Sequence, residues 1–225
     1  MRHRIAAVLG IVTLQACARD KPPVASRRVA QSVSPTRSLR ERADSELIAH
    51  LQHLSPPLTG DTIHLYSAED DSADTMHGKA ISTDDRSFFR AFYDDVPSGD
   101  DIFAIGYTTI APGFTAYVLR VPSKYSSSAV ALLVRNEKKN YWLPPATVAD
   151  AFGDEAWSFS RDAWLVDHDR DGDRDLIQRR IDDDDGRQVG DTLQWTFWQE
   201  AFDHFGWVAE LKDAKARQVF VNRRH

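Results

Sequence analysis

Between Asp167 and Gln178 the chain reads DHDRDGDRDLIQ, which sets aspartates at 167, 169, 171, 173 and 175 around Gly172. Carboxylates at every second position of a tight loop can turn toward one centre, and a glycine at the sixth place permits the sharp bend that brings them there. The chemistry of such a set is the binding of a hard, oxygen-seeking cation. Ca²⁺ takes about six to eight oxygens at about 2.3–2.6 Å, whereas Mg²⁺ prefers fewer protein ligands and keeps its waters, so the spacing favours Ca²⁺. The competing reading is a solvated acidic hairpin tip with no metal, in which the crowded carboxylates would repel one another without compensation. Outside the cytoplasm a site with a Kd of about 10⁻⁴–10⁻³ M would stay filled and act as a staple, not a sensor.

Counting from Asp167, the EF-hand pattern fails in two places. Gln178 stands where a bidentate glutamate is wanted, and Arg174 stands where an apolar residue packs. The residues resemble instead the calcium loop of FG-GAP repeats, the type found in integrin β-propellers, with the pattern D-x-[DN]-x-D-G-x-x-D-[LI] between two strands: Asp167, Asp169, Asp171, Gly172, Asp175 and Leu176. The resemblance implies side-chain oxygens from Asp167, Asp169, Asp171 and Asp175, a backbone carbonyl from Asp173, and Leu176 plugging the core beside the loop. His168, Arg170 and Arg174 then fall at outward positions, where the two arginines trim the loop's charge from −5 to −3. The pattern occurs once, and the roughly 180 residues from position 43 onward are too few for a set of four-stranded blades. The resemblance therefore carries the ion and not the propeller. A second acidic run, Asp182 to Asp185, lacks the alternation and reads as a solvated turn; His50 and His53, three apart, read as surface residues.

The elements that must position this loop are strands. It lies between AWLV and LIQRRI, and the runs DIFAIGYTTI, FTAYVLRVP, SAVALLVRN, DTLQWTFWQ and VFVNRR are also short, β-branched or aromatic, and set apart by Pro, Gly, Ser, Asn and Asp clusters. Crossover helices between them are mostly missing, so the expectation is mainly β: a single antiparallel, sheet- or sandwich-like domain over 43–225. One or two short N-terminal helices should open it. DSELIAHLQHLSPP begins with a capping candidate, Asp44 or Ser45, puts Leu47, Ile48, Leu51 and Leu54 on one face and stops at Pro56-Pro57; STDDRSFFRAFYDDVP, from Ser82, is the second candidate. In LQWTFW, alternation puts Leu193, Trp195 and Phe197 on one side and Gln194, Thr196 and Trp198 on the other, with Trp195 in the core and Trp198 half exposed.

The N-terminus carries an address. MRHR is basic, IAAVLGIVTL is apolar but too short for the roughly 30 Å of a bilayer core, and LQAC follows at Leu14–Cys17. This resembles the lipobox of bacterial lipoproteins, with Gln15 departing from the usual small residue. The resemblance implies a signal peptide over 1–16, and Cys17 as the first mature residue, bearing a diacylglyceryl group and an N-acyl chain. Ala18, in place of the aspartate linked to inner-membrane retention, points to the outer membrane of a two-membrane cell. Acylation accounts for a lone cysteine in an oxidising compartment, and several acyl chains anchor firmly where one is marginal. Residues 17–42 then form a proline- and serine-containing tether; from 18 to 42 it carries seven Lys/Arg against two acids, and we expect it disordered.

From 43 onward 32 acidic residues outnumber 19 basic ones, a net of −13 that argues against nucleic acid as a partner. No G-x-S-x-G, H-E-x-x-H or phosphate loop is present. All six tryptophans fall within 142–207; exposed ones could stack on sugars, with Trp198 the candidate. The sequence thus suggests a binding or envelope-interaction module for a glycan or envelope protein, with a hydrolase of envelope polysaccharide as the alternative.

Overall fold

The computed structural model describes residues 35–67, 76–81, 102–122, 129–154, 156–199 and 204–221. The leader, Cys17, most of the tether and the second helical candidate from Ser82 lie outside the described residues. Helix α1 (Pro35–Leu54) is followed by β1 (Thr62–Leu65), β2 (Lys79–Ala80), β3 (Phe103–Ala111), β4 (Phe114–Val121), β5 (Ala129–Asn136) and β6 (Tyr141–Trp142). Then come β7 (Ala146–Gly153), β8 (Trp157–Val166), β9 (Asp175–Asp184), β10 (Arg187–Gln199), β11 (His204–Glu210) and helix α2 (Ala214–Val221). The mainly β expectation holds: the strands pair antiparallel in the order β11-β10-β9-β8-β7-β5-β4-β3-β2, with β1 on β8 and β6 on β5, in a sheet that is neither a barrel nor a propeller.

The sheet doubles back on itself. Phe114 of β4 and Trp198 of β10 stand five places apart in strand order, yet their rings meet edge-on at 4.9 Å. One core holds Val118, Leu132 and Ile110 from the β3–β5 half together with Ile63, Leu165, Leu176 and Trp198 from the β8–β10 half. β7 links the halves by pairing with both β5 and β8. The outer face of the first half buries Tyr117, Leu119 and Leu133 under Leu47 and Leu51 of α1. The outer face of the second half buries Trp164, Ile177 and Leu193 with Phe220 of α2. This four-layer arrangement explains why β4 is buried along its whole length, Thr115 and Arg120 included, instead of alternating between buried and exposed.

Three expectations need correction. α1 begins at Pro35, so residues 35–42 are helical and not tether; proline suits a first helical turn, and Leu, Arg, Glu and Ala after it are good helix formers. The VFV of VFVNRR belongs to α2, which Asp213 caps by accepting the Ala216 N–H at 2.9 Å. Trp198 is 4% exposed and Trp195 only half-buried, the reverse of the expected burial. Leu193 and Trp195 do share one face and Trp198 lies on the other, but the face carrying Trp198 turns into the shared core while Trp195 lies at the margin under α2.

Candidate metal centre

Val166 and Asp175 are registered partners, so the aspartate loop, 167–174, closes the β8–β9 hairpin. Gly172 takes φ 99° and Arg170 φ 69°, left-handed conformations that fold the loop inward, and only the glycine adopts them without steric cost. The carboxylates answer the backbone N–H groups so exposed. Asp167 Oδ2 accepts from the Gly172 N–H at 3.2 Å, Asp169 Oδ1 from Asp171 at 3.2 Å, and Asp171 Oδ1 from Asp173 at 2.9 Å. The result brings one oxygen each from Asp167, Asp169 and Asp171 within 4.8 Å of one another, on side chains open to solvent. Among the described residues no other group of three His, Cys, Asp or Glu side chains could hold a metal in this way.

Asp175 is placed differently. Its residue is 2% exposed, and its Oδ2 accepts the His168 N–H at 3.1 Å, tying the two ends of the loop together. Burial pushes its carboxyl up to about 6; the His168 bond opposes that rise, and the charges of Asp169 and Asp171 add to it. The Trp195 indole N–H lies near enough to favour the ionised form, yet its Nε1 makes no hydrogen bond. Asp173 is half-buried and enters the network through its N–H. Leu176 is buried in the shared core beside the loop, at the position the FG-GAP pattern gives it.

Two flanking residues do not point freely outward. The Arg174 guanidinium donates to the Gly60 carbonyl at 2.8 Å and its backbone N–H to the Ile110 carbonyl at 2.7 Å. The His168 ring packs edge-on against Trp195 at 4.9 Å and tilts toward Phe220 at 6.4 Å. The loop is thus held by the β3–β4 hairpin on one side and by the α2 layer on the other. Local spacing carries no signal for these contacts, because Ile110 and Gly60 lie 64 and 114 residues from Arg174, and Trp195 and Phe220 lie 27 and 52 from His168.

A cleft of about 520 Å³ runs between the loop and the β3–β4 hairpin, with Asp61, Thr109, Pro112, Asp167 and Arg174 on its walls. Elsewhere the acidic run from Asp182 ends in a hairpin turn at Asp185-Gly186, with φ 49° and 74°, and Asp182 holds Arg180 at 2.8 Å. His53 is exposed and His50 half-buried on α1. Comparison with known proteins finds no matching family profile, no matching curated protein and no matching solved structure.

Proposed function

We propose that this chain is a lipid-anchored bacterial envelope protein whose β domain holds one structural Ca²⁺ on the 167–175 loop and serves as a binding module. The observation that carries the reading is the convergence of the Asp167, Asp169 and Asp171 carboxylates on an ordered loop, with the Asp175 carboxyl close enough to feel the charges of Asp169 and Asp171. Three or four carboxylates with loop carbonyls and water satisfy a hard divalent ion. The loop's ties to Ile110 and Gly60 give the ion a task, since fixing the loop also fixes the seam between the two half-sheets. The anchor rests on LQAC, with acylated Cys17 in the membrane, the outer one in a two-membrane cell, and the acidic body turned away from nucleic acid.

Thermal unfolding with several millimolar Ca²⁺ and with chelator tests the ion. Tm should rise with Ca²⁺ in the wild type and stay put in Asp171→Ala; a wild-type Tm indifferent to Ca²⁺ removes the site. Mass spectrometry of the membrane fraction tests the anchor, and an unmodified Cys17 thiol defeats it.

The second reading, a hydrolase of envelope polysaccharide, is favoured by one observation: Asp61 and Asp167 share the walls of the 520 Å³ cleft. It requires release of reducing ends from such a polysaccharide, abolished by Asp61→Asn.

A further inference from the structure

Burial falls away along β8, β9 and β10 at the end remote from the aspartate loop, where three strands project past the shared core. Strand alternation fixes what this end presents. In β8, Ala163 and Leu165 face the shared core, so Arg161, Phe159 and Trp157 continue the same face beyond its cover. Cross-strand register completes two rows on it: Phe152–Phe159–Asp182 and Asp150–Arg161–Arg180. The rings of Phe152, Trp157 and Phe159 lie 5.5 to 5.9 Å apart, centroid to centroid.

Arg180 sits over Phe159, its guanidinium carbon 4.2 Å from the ring centroid, and Asp182 holds it there through Nε at 2.9 Å and Nη2 at 2.8 Å. Arg161 donates to Asp150 through its Nε alone, at 2.8 Å. Trp157 stays 38% exposed, the one tryptophan among the exposed large apolar residues described. The face is therefore a small aromatic floor bordered by charged groups already paired and fixed in direction.

We propose that this face is a carbohydrate-binding platform for a neutral glycan, with Trp157 as the stacking ring and the Arg161 and Arg180 row as its polar border. A pyranose has the matching chemistry, one apolar C–H face to lie on an indole and a rim of hydroxyls to meet fixed donors and acceptors. Charge selects the neutral class: Arg161, Arg180 and Arg187 stand against Asp150, Asp182 and Asp184, the last registered between Trp157 and Arg187, a balance that leaves no surplus charge for an ionic chain. Size argues against a folded partner, since three strands by about three outward residues span roughly 10 by 14 Å, far short of the ~800 Å² that a stable interface buries per partner.

The inference rests on the reading of the domain as a binding module and is independent of the ion, because Trp157 and Val166 stand at opposite ends of β8, about 30 Å apart. The test uses the full acylated chain in a detergent without a sugar head, titrated with tetra- to hexasaccharides of glucose, mannose, galactose and N-acetylglucosamine. Tryptophan fluorescence and the Trp157 indole resonance are read. At least one series should bind saturably, with affinity falling tenfold or more in Trp157→Ala and largely retained in Trp157→Phe and in Asp171→Ala. Arg180→Gln, at an exposed side chain, should weaken binding several-fold and serves if Trp157→Ala does not fold. Absence of binding by every series, binding indifferent to Trp157→Ala and Arg180→Gln, or a self-association that buries Trp157 and that sugar does not compete overturns the platform. Co-sedimentation with membrane-free cell-wall sacculi separates the two readings. Retention equal in wild type and Trp157→Ala overturns the platform and leaves a binding module, whereas no retention and no oligosaccharide binding overturns both.

Discussion

The backbone N–H of Arg174 donates to the carbonyl of Ile110 at 2.7 Å, joining the aspartate loop to a strand of the opposite half-sheet. A cation on the loop should therefore be felt at that bond. Local opening that exposes the Arg174 amide must also disperse the carboxylates, so bound Ca²⁺ suppresses it by about the factor of ligand concentration over Kd. That factor is roughly 10- to 100-fold at about 10 mM for an extracellular-type site. Hydrogen exchange should show slower loss of the Arg174 amide in Ca²⁺ than in chelator. The Asp185 amide, bonded to the Ala156 carbonyl at 2.7 Å at the far end of the hairpin, should show no comparable change in its local opening. Equal responses at the two amides would mean that the ion does not act through the loop.

The raised carboxyl of Asp175 makes one pH-dependent contribution to the stability of the ion-free protein. Folded, it holds its proton up to about pH 6; unfolded, it releases it near 3.8. Between those values the native state binds the extra proton, so this residue's contribution to stability is fully present below about pH 4 and is lost as pH rises to about 6. His168, Asp169 and Asp171 face the same carboxyl, so the contribution is isolated as the difference between wild type and Asp175→Asn, which still offers an oxygen to the His168 N–H. In ion-free buffer the wild type should lose stability relative to Asp175→Asn over that window. Ca²⁺ should reverse the trend, binding more tightly as pH rises through about 6, because proton and cation compete for the same charge.

The clustering of Asp167, Asp169 and Asp171 and the β class were legible because both are local patterns: DxDxDGxxD needs only a dozen residues, and hairpin spacing needs only neighbours. What escaped was set by layering. Trp198 was placed on its correct face, but nothing within β10 could reveal that Phe114, more than 80 residues earlier, would cover that face. VFVNRR, from Val219, has the texture of a strand, yet Phe220 needs only one apolar contact surface, against Trp164 at 5.4 Å, to seat a helix. The exposed aromatic did leave a trace in WSFS, where Trp157 and Phe159 alternate with serines, the signature of a strand with one half-open face.

The exchange of roles between the two tryptophans makes a stability prediction. Trp198 fills the space between the half-sheets, packing on Phe114 at 4.9 Å and Phe205 at 5.0 Å, so Trp198→Ala should cost about 3–5 kcal/mol in denaturant unfolding. Trp157→Ala, at a partly open position, should cost about 1 kcal/mol or less. A Trp198→Ala protein as stable as wild type would contradict the closed seam.

Asp191 concentrates the charge that seats α2. Arg179, 7% exposed, reaches both of its carboxylate oxygens, Nε at 2.9 Å and Nη2 at 3.0 Å, while Arg217 of α2 donates to its carbonyl at 3.0 Å and approaches Oδ2 at 3.5 Å. Removing the carboxylate strands a buried guanidinium, whose desolvation is no longer offset, so Asp191→Ala should destabilise by about 3–5 kcal/mol. Replacing the buried cation as well relieves that cost, and Arg179→Met with Asp191→Ala should recover much of the loss. Arg217→Ala alone leaves the buried pair intact and should cost about 1 kcal/mol or less, loosening α2 over Trp164. Urea unfolding measures all three, and a double variant no better than Asp191→Ala would show that the carboxylate acts through α2 and not through the buried arginine.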